Sequence, residues 1–95
     1  MSRTEWQLFA RDKALKYIDR LSEDESLRIW QALAKTLDFL SEKESPTDIG
    51  LKILHGKMKG FHRLRVGKWR IILEIDNSLK RVNVFEIDTR GSVYK

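Results

Sequence analysis

The sequence predicts a single α+β domain over residues 1–95, a strand and a helix hairpin followed by a three-stranded antiparallel meander. Three observations carry that expectation. Apolar residues recur at helical spacing from Asp12 to about Leu40, and strand-like alternation takes over from Phe61. A capping-box pattern, Ser22-Glu23-Asp24-Glu25, separates two helical stretches. Two strand-like runs flank Gly67-Lys68, a two-residue loop with glycine first, as a type II′ hairpin turn requires.

In chain order, Glu5 to Arg11 alternates loosely and reads as a short strand. Asp12 is placed to cap a first helix with Ala14, Leu15, Ile18 and Leu21 on its apolar side. The second helix starts after Ser22, with acidic side chains at its positive end. Its expected apolar stripe is Leu27, Trp30, Leu33, Ala34, Leu37 and Leu40, and it ends near Glu42 or Lys43 because Pro46 disfavours helix before it. Trp6, Trp30 and Trp69 are expected in the core.

Glu44 to Gly50 is a loop, and Leu51 to Leu54 is either extended or a single turn. Phe61–Val66 and Trp69–Asp76 form the hairpin. With Val66 facing Trp69, Leu64 faces Ile71 and His62 faces Leu73 on an apolar face, while Arg65 lies opposite Arg70 and Arg63 opposite Ile72 on the other. Such clustered guanidinium groups repel unless an anion sits among them, and Glu74 is the expected local carboxylate. After a turn at Asn77-Ser78, Arg81 to Asp88 is the third strand, with Val82 and Val84 on one face and Phe85 and Ile87 on the other.

Charge is unevenly distributed. Residues 51–70 hold seven Lys or Arg, two His and no acid; the first fifty residues hold eight basic and ten acidic groups, and the last twenty-five hold four of each. A basic block on a balanced chain points to a polyanionic partner. The chain has no cysteine, which excludes disulfides, a thiolate nucleophile and a cysteine zinc site. No apolar run approaches the roughly 18 residues of a membrane span, and the N-terminus lacks a signal-peptide core, so a cytoplasmic protein with no membrane partner is expected.

The hairpin FHRLRVGKWRIILEID resembles the G-x-Y-R-x-R-x-G-x-[YW]-R-hydrophobic hairpin of the RelE/ParE superfamily of bacterial toxin–antitoxin toxins. The closing VFEIDTRGSVY resembles that family's last strand followed by an Arg and, four residues on, a Tyr; Leu54-His55-Gly56 resembles its L-x-G signature. The order of elements matches over nearly the whole chain.

The resemblance implies a cytoplasmic toxin held inactive by a cognate antitoxin. Its RelE-like branch implies an endoribonuclease that cuts messenger RNA in the ribosomal A site, without metal or other cofactor. Its ParE-like branch implies instead a non-enzymatic inhibitor of DNA gyrase, and a third reading is a relative that only binds RNA or an acidic partner. Under the RelE-like reading the matching positions are Arg63, Arg70, Arg90 and Tyr94. Arg63 and Arg70 would stabilise phosphate charge, because a guanidinium stays protonated and grips phosphate through paired N–H bonds. Tyr94 would stack on a base or exchange a proton. Arg65, Lys52, His55, Lys57, Lys59 and His62 would bind RNA phosphates. Arginine does not deprotonate near neutral pH, so the resemblance assigns charge stabilisation and leaves the general acid and base open. The competing structural reading of Arg63 and Arg65 is a solvated sheet face, of Lys52, Lys57 and Lys59 simple solubilising lysines, and of His62 a half-buried histidine on the apolar side.

Overall fold

A computed structural model describes residues 5–42, 51–53 and 60–89. The elements run β1 (Gln7–Ala10), α1 (Asp12–Asp19), α2 (Glu23–Glu42), β2 (Leu51–Ile53), β3 (Phe61–Val66), β4 (Trp69–Asp76) and β5 (Arg81–Thr89). The strands form one mixed sheet in the order β1-β5-β4-β3-β2. Every neighbouring pair is antiparallel except β1 with β5. The α+β expectation therefore holds, with one addition. Leu51–Ile53, left open between strand and turn, pairs with β3 and supplies the fifth strand.

The β3–β4 register is the one alternation predicts, from Val66 opposite Trp69 through Arg65 opposite Arg70 to His62 opposite Leu73. The turn fixes it. Gly67 has φ +56° and Lys68 does not share the positive φ, which fits a type II′ turn. At the next turn Asp76 Oδ1 accepts hydrogen bonds from the Ser78 and Leu79 amides, each at 3.0 Å, and from the Ser78 hydroxyl at 2.7 Å. These bonds, led by the Leu79 amide, hold the Asp76 carboxyl below the usual carboxylate range.

The capping box forms as its sequence suggests. The Ser22 hydroxyl accepts from the Glu25 amide, and the Glu25 carboxylate accepts from the Ser22 amide, both at 3.2 Å. Asp12, by contrast, is the first helical residue of α1, and the capping position is Arg11, which makes no side-chain capping bond.

Both helices cover one sheet face and bury a core that includes Ile18, Ile29, Leu33, Leu64, Trp69, Ile71, Leu73, Val82 and Val84. The α2 stripe holds at Leu33, which is buried, and at Leu37 and Leu40, which pack against the core, and is otherwise corrected by about a third of a turn. Ile29, Leu33, Thr36 and Phe39 are buried, whereas Leu27 is 54% and Trp30 37% exposed, and Ala34 is exposed. The helix carries two apolar stripes, and the inward one includes a polar residue. Thr36 is tolerated there because its hydroxyl donates to the Ala32 carbonyl at 2.9 Å. Leu15 of α1, expected in the core, is likewise exposed, while Trp6 and Trp69 are buried as expected. Among the described residues no helix is long and apolar enough to cross a membrane.

A register shift between Ile72 and Leu73 corrects the expected facing of β5. Below it Val84 opposes Leu73; above it Glu86 opposes Ile72 and Ile87 opposes Ile71. Phe85 is the extra residue of a β-bulge. The bulge reverses the alternation, so Ile87 joins Val82 and Val84 in the core.

Candidate nucleic-acid interface

The helices cover one face of the sheet and leave the other open. Cross-strand pairing lays the open face out in rows. One row reads Lys52–Arg63–Ile72–Glu86, and the next reads Arg65–Arg70–Asp88. Four basic side chains from three adjacent strands thus share one end of this face. Strand alternation alone aligns the β3–β4 arginines, and β2 adds Lys52 because it pairs in register with Arg63.

The counter-charge is Asp88, and this corrects the expectation that Glu74 would supply it. Arg70 Nη2 donates to Asp88 Oδ2 at 3.3 Å, with side chains 29% and 27% exposed. Glu74 lies further along β4, opposite Phe61 and Asn83. The bulge produces this pairing: without the shift Ile87 would face Arg70. Asp88 occupies one of five N–H donors on the Arg70 fork, which leaves most of it for another acceptor. Arg63 Nε, Arg70 Nε and Asp88 Oδ1 are buried atoms without a hydrogen-bond partner among the described residues. Donors in excess of acceptors, on a face with more basic than acidic groups, suit a phosphate.

Beside the basic rows lies an aromatic group that the sequence reading missed. Phe61 and Phe85 meet edge to face, with ring centroids 5.0 Å apart and planes at 75°. The Arg11 guanidinium carbon sits 4.1 Å from the Phe85 centroid. Alternation from Val84 already turns Phe85 away from the core, as expected; its meeting with Phe61 and Arg11 depends on strand pairing that the sequence does not display. At the far end, Phe9, Glu74, Asp76, Leu79, Arg81 and Asn83 line an open hollow of about 290 Å³. The face therefore grades from basic through aromatic to mixed acidic and apolar.

His62 does not join the arginines. It lies on the helix side of β3, paired with Leu73, and its Nδ1 is buried without a partner among the described residues. Burial lowers its pKa from the ordinary imidazole value. Tyr17, half-buried in α1, is raised by burial, offset by the neighbouring Trp69 indole N–H. That N–H makes no hydrogen bond of normal geometry. His55, Lys57, Lys59, Arg90 and Tyr94 lie outside the described residues, as does the Leu54-His55-Gly56 signature.

No protein-family model matches the sequence, and no curated protein sequence matches it significantly. Solved structures do. A chain of the RelBE2 toxin–antitoxin complex from Mycobacterium tuberculosis matches at TM-score 0.62 and 22% identity, over 90% of this chain and 98% of that one. A chain of the RelB–RelE antitoxin–toxin complex from Methanococcus jannaschii matches at TM-score 0.69 and 17% identity, over 92% and 95%. The isolated RelE toxin of E. coli matches at TM-score 0.64 and 18% identity, over 94% and 90%. The chain has the RelE-like toxin fold.

Proposed function

We propose that this chain is the toxin of a toxin–antitoxin module and an endoribonuclease that cuts ribosome-bound messenger RNA. The observation that carries the reading is the convergence of Lys52, Arg63, Arg65 and Arg70 on the open sheet face of a RelE-like fold. In the cleavage, the 2′-hydroxyl oxygen attacks the adjacent phosphorus as its proton leaves. The bond to the 5′-oxygen then breaks as that oxygen gains a proton. Between these events the phosphorane carries extra negative charge, and groups placed for that charge lower the barrier.

Arg70 and Arg63 hold the phosphorane oxygens. Arg70 is steadied by Asp88, so its fork is oriented before RNA arrives. Arg65 and Lys52 attract the flanking phosphates. Arg90 and Tyr94, which follow β5 in the sequence, are assigned the remaining catalytic roles by the resemblance, Tyr94 to stack on a base or move a proton. His55, Lys57 and Lys59 contribute phosphate contacts from the segment between β2 and β3. His62 stands apart from this group, because it occupies the other side of its strand.

The matched RelB–RelE structures are antitoxin–toxin complexes, which supports a cognate antitoxin as the partner here. Its acidic groups would approach the same basic rows.

The test is induced expression in bacteria of the parent chain, Arg70→Ala and Arg70→Lys. Messages cut at discrete sites by the parent and spared by Arg70→Ala support the nuclease. Arg70→Lys should fall well short of the parent, since lysine supplies a point charge and no planar fork. Growth arrest with intact messages and altered DNA supercoiling would replace this reading with gyrase inhibition.

A further inference from the structure

The aromatic group beside the basic rows has no part in phosphate chemistry, yet three separate elements build it. Phe61 opens β3, Phe85 is the extra residue of the β5 bulge, and Arg11 follows β1. The Arg11 amide donates to the Val84 carbonyl at 3.0 Å, which fixes its backbone beside Phe85. Its guanidinium is exposed, makes no ion pair among the described residues, and lies over the Phe85 ring. Phe61 braces that ring from the side. Phe61 is also two residues from Arg63 on the same face of one strand, a separation of roughly 7 Å.

We propose that Arg11, Phe85 and Phe61 form a nucleobase subsite, where a base of single-stranded RNA stacks on Arg11 while its phosphate lies against Arg63. The proposal rests on the RNA-binding reading above and adds the subsite that holds a base. A guanidinium presents a flat, weakly hydrated surface on which a base stacks, and an aromatic ring beneath it keeps that surface in place. Charge alone would not require the support of two phenylalanines. Nor would a simple clamp on β1 require the cation to stay exposed. Stacking is indifferent to base identity, so this subsite orders the strand without reading its sequence.

The test uses two fluorescent 2′-deoxy hexamers, one with bases and one abasic, neither carrying the 2′-hydroxyl that cleavage consumes. The ratio of affinities, base-bearing over abasic, is measured for the parent, Arg11→Ala, Arg11→Lys and Phe85→Leu. The parent should prefer the base-bearing strand, and each variant should reduce the ratio about five- to twentyfold. Arg11→Lys keeps the charge and loses the plane, and Arg11 is exposed, so a fall in that variant does not arise from charge or misfolding. An unchanged ratio in the Arg11 variants overturns the subsite. So does a parent that binds both strands equally while Arg70→Ala still weakens binding, a result that leaves the phosphate reading standing. A parent that binds neither strand overturns both.

Discussion

Arg70 on β4 and Asp88 on β5 are direct cross-strand partners, and among the described residues their ion pair holds the one guanidinium of the basic rows that a carboxylate balances. Asp88→Asn removes that balance and leaves Arg70 facing Arg65 across β3. The partly buried pair should contribute about 1–2 kcal/mol, because hydrogen bonds to charged groups exceed neutral ones and solvent screens part of the gain. Urea unfolding of Asp88→Asn should show that loss. The same variant should bind single-stranded oligonucleotides more tightly, since the face loses one negative charge. A variant as stable as the parent would show that the pair is fully screened.

The salt dependence of oligonucleotide binding counts the phosphate contacts. If Lys52, Arg63, Arg65 and Arg70 each neutralise one phosphate, log K should fall with log salt at a slope of about −3. Arg65→Ala should bring the slope to about −2. A parent slope near zero would remove the polyanion reading of these rows.

The facing of α2 is checked by two substitutions. Leu27→Ala should change stability by no more than about 0.5 kcal/mol, because its side chain is more than half exposed. Ile29→Ala should cost about 2–5 kcal/mol, since Ile29 is fully buried. The reverse order in a denaturant titration would restore the stripe expected from the sequence.

These outcomes bear on how far the sequence could be read. The hairpin register was legible because a two-residue glycine turn allows few pairings, and Arg63, Arg65 and Arg70 followed from it. The inward face of α2 was legible at Leu33, Leu37 and Leu40 but not at Ile29 and Thr36, because Leu27-Trp30-Ala34 forms a competing helical stripe and Thr36 carries a hydroxyl. Only packing against the sheet chooses between them, and the Thr36 bond to Ala32 removes the objection to the polar member. Asp88 was missed because a bulge inserts a residue into β5, and alternation counted straight through it places Ile87 opposite Arg70. Phe85 lies on the face expected of it, and only its contacts with Phe61 and Arg11 were not legible.

Gly67→Ala should destabilise the fold by about 1–2 kcal/mol through backbone conformation. A Cβ at this position would meet nothing closer than Arg28 Nη1 at 3.9 Å, so crowding does not contribute. Thermal unfolding with an intact far-ultraviolet spectrum should register the loss.

His62 carries a pH signature. Its pKa in the fold lies below the ordinary value, with burial as the cause. The unfolded chain therefore takes up a proton near pH 6.5 while the folded chain resists it. Stability from the neutral form is fully present above that pH and declines as pH falls toward the folded value. In His62→Gln the urea midpoint should depend less on pH below about 6.5 than in the parent. Parallel profiles would place the imidazole in water.

The edge strand β1 lies parallel to β5, so Gln7 is hydrogen-bonded beside residues more than seventy positions later in the chain. A polypeptide emerging from the ribosome makes this edge early and can seat it only once β5 has been synthesised. The Arg11–Phe85 contact inherits that delay. Assembly of the open face is thereby tied to synthesis of β5, and a fragment ending before it has neither the edge strand in place nor Asp88 to pair with Arg70.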